Sequence, residues 1–321
     1  MSHSVQFIGI DVGSTMLSAA IVGAKPHDFP HTARGVAALA AWARRRCDQP
    51  LQAVCESSGP YSLKLAGFLA HEQIPVAIVP PQRVRANAKA LGRLSKTDRI
   101  DAQVILDYGM HAQPEPWIAP PPAQARLAAL WNACCDLRAE EQRWANRLHA
   151  LQQVPSTPPE VLALPLRLSA CFASERRQLE AALEQLILDE PELAERREIL
   201  LSIPGIGPQT ALVLLSRADI LLTRSPKELT AYAGLAPLHR QSGTSLRGRS
   251  YIGRQGDAQV RTLLYMAAMS ASRCDPQLKE FYERLRAAGK THKQARIAVA
   301  RKLLLIAQTI LKSGRRYEVR L

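Results

Sequence analysis

Aromatic residues are scarce at 5% of the chain, whereas Ala and Leu are abundant, a balance that favours helix-rich packing. The cysteines form no CxxC pair and no Cys/His cluster, so we expect no zinc module. No apolar run is long enough to span a bilayer, and no secretory leader precedes the first predicted strand. These absences favour a cytoplasmic protein without a membrane partner.

Positive charge is distributed very unevenly along the chain, whose formal net charge is +14. Residues 239–321 hold 18 Lys or Arg against 5 Asp or Glu, whereas the preceding 238 residues hold 24 against 23. A sustained field of one sign usually attracts a polyanion. Because apolar periodicity runs through the same region, we interpret it as a folded domain with a polyanionic partner. The alternative is a basic tail that aids solubility.

The first third of the chain alternates strands and helices. Strands are predicted at residues 5–10, 17–22, 51–55 and 76–79, and helices at residues 39–46, 61–71, 82–91 and 97–111. A tight hairpin turn that begins at Asp11 joins the first two strands. This order predicts an α/β domain over residues 1–112, with a central sheet covered by helices.

Proline supplies five of the ten residues at 113–122, which predicts a linker, assigned to residues 113–124. Apolar or large residues then recur at alternating spacings of three and four from Leu127 to Leu151, with Glu141 at the one vacant position of this heptad seam. A second helical stretch, from about residue 168 to 201, completes a predicted coiled-coil arm over residues 125–201. Whether this arm packs on its own domain or joins subunits stays open.

Four carboxylates lie at positions where the predicted strands and helix could bring them together. Asp11 ends the first strand, Glu56 ends the strand at 51–55, and Asp98 and Asp101 share one face of a helix. Crowded carboxylates are costly unless cations share them, and two divalent ions roughly 4 Å apart are the familiar solution for phosphoryl displacement. Oxygen ligands indicate Mg²⁺, or Mn²⁺ in its place. Each acid also has a purely structural explanation, as a turn, strand-end or first-turn residue.

Two further features suit phosphate groups. Lys96 and Arg99 flank the last two acids and could contact a nucleic-acid backbone, although they could equally form a solvated helix face. The segment Ile203-Pro-Gly-Ile-Gly-Pro has the pattern of a helix-hairpin-helix turn, in which Gly205 and Gly207 would expose backbone N–H groups to a phosphate. A structural turn between helices is the alternative.

The region from Tyr232 to Gly253 is rich in Gly, Arg and Ser, and it interrupts an otherwise helical domain over residues 202–321. Its arginines, with one just beyond it, are Arg240, Arg247, Arg249 and Arg254, and its hydroxyl residues include Ser242, Thr244, Ser245 and Ser250. A serine is a poor nucleophile until a base or metal activates it, and arginines would hold a scissile phosphate. From the residues alone this is a nucleic-acid-binding loop, and Asp257 after it is a helix cap.

Several motifs occur in a characteristic order over essentially the whole chain. They are Gly9-Ile-Asp-Val-Gly, Glu56-Ser-Ser-Gly-Pro-Tyr, Lys96-Thr-Asp-Arg-Ile-Asp-Ala, the turn at residues 203–208, Tyr232-Ala-Gly-Leu-Ala-Pro followed by Ser242-Gly243, and Gly253-Arg-Gln-Gly-Asp ahead of Arg261. The ordered set resembles the DEDD insertion-sequence transposases, the bridge-RNA-guided serine recombinases of the IS-one-ten group.

The resemblance implies an RNase H-like (RuvC-like) domain in which Asp11, Glu56, Asp98 and Asp101 bind Mg²⁺. It also implies a coiled-coil arm and a mainly helical transposase domain, in which Ser242 attacks a DNA phosphate and forms a covalent phosphoserine link. The implied partners are donor DNA, target DNA, a structured guide RNA and further copies of the chain, as homodimers and homotetramers. The implied location is the bacterial cytoplasm, at the nucleoid when the protein is active.

This sequence departs from the pattern just before the serine, where it has His239-Arg-Gln, and Ser245 is therefore the second candidate nucleophile. One alternative function is a RuvC-like junction-resolving endonuclease that uses water. Another is a sugar kinase or actin-like ATPase, because residues 9–15 also resemble a phosphate-binding hairpin, but we find no second phosphate loop. A third is a non-catalytic nucleic-acid-binding protein.

Overall fold

The computed structural model describes residues 5–92, 98–238, 241–242, 246–247, 251–253 and 255–318; at residues 98, 99, 238, 241, 242, 246, 247 and 251 only the backbone is described. The chain divides into two compact units, Met1–Ala119 and Pro120–Leu321. Among the helices of these described ranges, none combines the length and the apolar character that crossing a membrane requires.

The first unit is built on a five-stranded sheet. Its strands are β1 (Gln6–Val12), β2 (Met16–Ile21), β3 (His27–Pro30), β4 (Leu51–Glu56) and β5 (Val76–Val79), in the order β3-β2-β1-β4-β5. β1 pairs antiparallel with β2 and parallel with β4, and β4 pairs parallel with β5. The predicted sheet and its first hairpin are confirmed, whereas β3 was not predicted.

Helices cover both faces of this sheet. They are α1 (Ala33–Arg44), α2 (Pro60–His71), α3 (Pro81–Ala90) and α4 (Asp98–Ala112). Ile8 and Ile10 belong to a core shared with α1 and α2, whereas Phe7 belongs to a core shared with α3 and α4. The two-residue period of a strand therefore divides the side chains of β1 between two apolar layers.

The backbones of β1 and α4 touch at Gly9. A Cβ atom on Gly9 would lie 2.3 Å from both the Ala102 carbonyl oxygen and the Leu106 nitrogen. Further along α4, a Cβ atom on Gly109 would contact Phe7 and Val54. The helix therefore runs along the sheet with its first residues towards the carboxyl end of β1.

The second unit begins with a helical hairpin of α5 (Pro122–Gln152) and α6 (Pro159–Asp189). The helices run antiparallel, since Arg138 pairs with Glu180 at 2.6 Å and Glu141 pairs with Arg176 at 2.6 Å. Glu141, at the vacant seam position, is thus neutralised from the facing helix. The prediction that this second helix starts near residue 168 is wrong, because proline is tolerated at a first helical position and α6 begins at Pro159.

The rest of this unit is a helical bundle with one irregular insert. Its helices are α7 (Pro191–Leu201), α8 (Pro208–Leu215), α9 (Ala218–Thr223), α10 (Pro226–Tyr232), α11 (Ala258–Cys274), α12 (Pro276–Ala287) and α13 (His292–Ser313). Val260, Leu264 and Ala268 of α11 lie in its core, together with Leu127 and Trp131 from the base of α5. Thr291 and Gln294 form a capping box at the start of α13, as expected of a Thr-x-x-Gln pattern ahead of a helix.

We expect Gly9→Ala to destabilise the first unit by roughly 3 kcal/mol or more, because the added methyl group would meet backbone atoms that cannot move aside without shifting α4. The matched control is Gly67→Ala, in α2, where no atom lies within 4 Å of the added methyl group. That change should be neutral or stabilising by about 0.5–1 kcal/mol. Denaturant unfolding of both variants measures the difference, and equal stabilities would contradict the β1–α4 contact.

Candidate active site

Asp11 and Glu56 lie side by side at the carboxyl edge of the sheet. The last register pair of the parallel strands β1 and β4 joins Ile10 to Cys55, and the two acids follow at the next position of each strand. Both side chains are half-buried. Because side chains alternate along a strand, Asp11 shares the sheet face of Gly9, the face that α4 covers. Two of the four predicted acids are thus brought together by strand register.

Asp101 is carried towards the same edge by α4. It directly precedes Ala102, whose carbonyl oxygen lies against Gly9, and its side chain is half-buried. Position 98 lies four residues before Ala102, about 6 Å along the helix axis, and Asp11 lies about 7 Å beyond Gly9 along its strand. The start of α4 and the end of β1 therefore extend in the same direction. The side chain of Asp98 lies outside the described residues.

The donors at this edge are suited to a hard cation, since they are carboxylates. The buried Ser58 hydroxyl, two residues after Glu56, has no hydrogen-bond partner among the described groups. Within the described side chains, no group of three or more His, Cys, Asp or Glu is close enough to hold a metal ion. The fit to a divalent metal therefore rests on strand register, helix direction and donor chemistry.

His31 is a residue of this region that sequence reasoning missed. It is 1% exposed, and its Nδ1 lies 2.9 Å from the carbonyl oxygen of Gly13 in the turn that follows Asp11. The backbone N–H of His31 also donates to the Thr15 carbonyl oxygen at 2.8 Å. His31 thus fixes the turn next to the acids. No local pattern predicts it, because the partners are separated by 18 residues.

Cys55, although adjacent to Glu56, is not a candidate nucleophile. Burial, with a smaller contribution from the charge of Glu56, raises the pKa of its thiol to about 12. The reactive form of cysteine is the thiolate, which this environment suppresses at neutral pH. Cys55 therefore acts as a small core residue beneath the acidic edge.

The helix-hairpin-helix turn uses its two glycines differently. Gly205 has a φ of +89°, and a Cβ atom there would lie 2.6 Å from the Ala271 nitrogen, so the turn packs directly on α11. Gly207 is the N-cap residue of α8 and, lacking a side chain, leaves the first N–H groups of the helix uncapped. No atom lies within 4 Å of the place that a Cβ atom would occupy. Gly205 is therefore required for packing, whereas the approach to Gly207 is open.

The serine-bearing insert contains two short strand pairs. The outer pair is β6 (Pro237–Leu238) with β9 (Tyr251–Ile252), and the inner pair is β7 (Gln241–Ser242) with β8 (Leu246–Arg247). Ser242 faces Leu246 in the inner register, and its side chain is not described. Of the other predicted contacts, only the backbone is described for Arg99 and Arg247, and four residues lie outside the described ranges: Lys96, Arg240, Arg249 and Arg254.

Asp257 holds the end of this insert in place. As the sequence predicted, it caps α11: its Oδ1 accepts from the N–H groups of Gln259 at 2.9 Å and Val260 at 3.0 Å. Its Oδ2 accepts from Arg217 Nε and from the Tyr232 hydroxyl, both at 3.1 Å. Burial would raise the pKa of Asp257, but the Val260 hydrogen bond and the Arg217 charge outweigh it and lower the pKa below its usual value.

The other end of the insert is held by the same group of residues. Gly234 has a φ of +65°, and a Cβ atom there would lie 2.2 Å from the Gln255 carbonyl oxygen. Arg261 Nη1 donates to that same oxygen at 3.3 Å, and the Asp257 N–H donates to the Tyr232 carbonyl oxygen at 2.7 Å. Both ends of the insert are therefore tied to each other and to α11.

Two family models match the chain. One, described as Transposase IS116/IS110/IS902 family, matches residues 197–283, and one of IS110 DEDD transposases, described as Transposase, matches residues 8–154. The pilin gene-inverting proteins of Moraxella bovis and Moraxella lacunata are each 31% identical over 330 residues, which covers 99% of both chains. A 43.6 kDa protein of insertion element IS110 from Streptomyces coelicolor is 34% identical over 212 residues, 62% of this chain and 51% of that protein.

These likenesses, with a mixed sheet that carries acids at its edge and a mainly helical remainder, define a transposase, an enzyme that recombines DNA. The chain belongs to the IS116/IS110/IS902 family of transposases. The resemblance found from the sequence motifs is thereby confirmed at the level of the family.

We expect Asp257→Ala to lower the free energy of unfolding by about 3 kcal/mol, because it removes the α11 cap and leaves Arg217, whose side chain is 14% exposed, without its partner. Asp257→Asn keeps the cap and should cost less. Because folding lowers the pKa of Asp257, its carboxylate stabilises the folded state at pH values above its ordinary pKa. This stabilisation is lost as pH falls through the pKa of the folded state. Acid titration of stability should be shallower in Asp257→Asn than in the unaltered protein, and the exposed control Asp136→Asn should leave the free energy of unfolding at neutral pH unchanged.

Proposed function

We propose that this transposase cleaves and exchanges strands of donor and target DNA through a covalent phosphoserine intermediate on Ser242, aided by Mg²⁺ at Asp11, Glu56, Asp98 and Asp101. The observation that carries the proposal is the parallel register of β1 and β4, which sets Asp11 beside Glu56, with the start of α4 directed to the same edge. The membership of the chain in a transposase family supplies the substrate class.

The four acids would hold the divalent ion through carboxylate oxygens, the ligands that Mg²⁺ and Mn²⁺ prefer. Such an ion, when bound, offsets negative charge that develops on phosphate oxygens during displacement. The protein contributes position: β1 and β4 fix two acids, α4 brings Asp101, and His31 steadies the turn after Asp11. Carboxylates repel one another at close range, so the ion would also draw the four side chains together.

Ser242 would form a bond from its Oγ to a DNA phosphorus while one P–O bond of the DNA backbone breaks. The serine proton is released, and the departing DNA oxygen takes up a proton. Because one phosphodiester replaces another, the exchange conserves bond energy and needs no nucleotide cofactor. The neighbouring arginines, Arg240, Arg247, Arg249 and Arg254, would stabilise the charged phosphate.

The proposal extends to site choice and assembly. A structured guide RNA would select the donor and target sites by base pairing, and Lys96, Arg99 and the open turn at Gly207 would contact nucleic-acid backbone. Further copies of the chain would assemble as homodimers and homotetramers, with the α5–α6 hairpin as a coiled-coil arm between them.

RNA that copurifies with the protein, once sequenced, should contain segments complementary to both DNA sites.

A second candidate outcome is inversion of a DNA segment. The full-length likeness to the two pilin gene-inverting proteins favours it. The same strand exchange inverts the intervening DNA when its two sites lie head to head on one molecule. A plasmid that carries two such sites distinguishes inversion from insertion by the orientation of the segment after reaction.

We expect Asp11→Asn and Glu56→Gln each to lower the DNA cleavage rate at least 100-fold in Mg²⁺, and EDTA to abolish cleavage by the unaltered protein. Calorimetric titration with Mn²⁺ should show weaker binding in both variants. The matched control is Asp48→Asn, an exposed acid that precedes β4 and so lies at the opposite edge of the sheet. Full activity in EDTA would refute the metal site.

We expect Ser242→Ala to abolish the covalent link between protein and DNA, whereas Ser245→Ala should retain it, because only the first removes the proposed nucleophile. A denaturing gel of end-labelled DNA separates the linked species from free strands. A junction-resolving endonuclease that uses water would instead cut DNA without any linked species. Loss of the link in Ser245→Ala alone would transfer the assignment to that residue.

A further inference from the structure

The helices α12 and α13 carry strong positive charge outside the serine-bearing insert of the sequence. Residues 276–313 hold nine Lys or Arg and only two acids, Glu280 and Glu283, and α13 itself holds none. Six of these cations are exposed: Lys279, Arg284, Lys290, Lys293, Arg301 and Lys312. In the described part of the chain, none of the nine makes an ion pair with a carboxylate, whereas three of the seven arginines of the α5–α6 hairpin do.

Two of the cations converge on one aromatic ring. The Arg284 guanidinium lies 5.5 Å from the centroid of Phe281, and the Lys302 ammonium lies 5.0 Å from the same centroid. Arg284 belongs to α12 and Lys302 to α13, so the ring joins the two helices. A cation held over an aromatic face keeps its charge while its flexible stem loses freedom. The two cations repel each other, and an anion between or beside them would offset this repulsion.

The surface beneath these charges is held in a fixed shape. The buried Asp275 caps α12 through the Leu278 N–H at 2.8 Å and accepts from the Tyr317 hydroxyl at 2.6 Å. The Tyr282 hydroxyl lies 2.6 Å from Nδ1 of His292, which ties α12 to the first residue of α13. The backbones of the two helices are thereby held in place before a ligand binds, which favours affinity.

We infer that this α12–α13 face is a second DNA-binding surface, which grips the phosphates of duplex DNA without reading its sequence, with Arg284 and Lys302 as its centre. Duplex DNA is the partner because the family recombines DNA and because cations without carboxylate partners, on two helices held together, complement closely spaced phosphates. The inference rests on the DNA substrate of the proposed function and not on the serine or the metal. Such a surface would hold DNA while the insert acts on it.

The test measures binding of a 30-base-pair duplex of arbitrary sequence at several salt concentrations. Arg284→Gln combined with Lys302→Gln should weaken binding and lower the slope of log affinity against log salt by about 1 to 2, since each lost phosphate contact contributes about 0.9. The charge-preserving pair Arg284→Lys with Lys302→Arg should bind normally. The matched control is Lys64→Gln in the first unit, where a lysine also lies over a phenylalanine ring, at 5.8 Å from the Phe68 centroid.

The inference is overturned if the double variant keeps the unaltered salt slope, or if it loses affinity for a duplex RNA of the same length while DNA binding is unchanged. Circular dichroism of each variant checks the fold. A second double variant combines Lys293→Gln with Arg301→Gln, two exposed residues that contact no aromatic ring. It should also lower the salt slope. The assay measures binding alone and alters neither the serine nor the acids, so failure of the serine assignment leaves this result interpretable.

Discussion

The close approach of two backbones, β1 at Gly9 and α4 at Ala102 and Leu106, determines where the acidic groups of the first unit can lie. A side chain on β1 at this point would push the helix away from the sheet. With glycine there, the helix start and the strand end extend together, and the parallel partner β4 adds Glu56 to the same edge. The candidate metal site is thus a consequence of packing at a residue that has no side chain.

The second unit solves a different problem, that of fixing the serine-bearing insert on a helical scaffold. A short segment rich in Gly, Arg and Ser cannot bury an apolar core, so its position depends on its ends. Asp257 and Arg217 secure one end, and the close approach of Gly234 to the Gln255 carbonyl oxygen, which a side chain would prevent, secures the other. Burying the Asp257–Arg217 pair, whose side chains are 12% and 14% exposed, costs solvation free energy. The hydrogen bonds that Asp257 accepts from the start of α11 and from the Tyr232 hydroxyl compensate for this cost.

Much of the fold and part of the candidate site could be predicted from local patterns in the sequence. Short apolar runs predicted β1, β2, β4 and β5, and the acids that end two of these runs, Asp11 and Glu56, were predicted to meet at one edge of the sheet. The capping roles of Asp257 and Thr291 follow from side-chain chemistry at helix starts. The edge strand β3 escaped prediction because four residues with an Asp and a Pro carry no alternation. The His31–Gly13 and Arg217–Asp257 contacts escaped it because they form only when distant segments meet.

The α5–α6 hairpin has a consequence for motion. In α5, a helix that the structure describes in full, no side chain beyond Cys134 is buried, and its middle is joined to α6 by ionic groups. The last 18 residues of α5, roughly 27 Å of helix, thus contribute no buried side chain to the core. Segments with few buried contacts open on their own, at lower cost than global unfolding. The arm can therefore flex and exchange its amide hydrogens quickly, especially at high salt, while the bundle at its base stays closed.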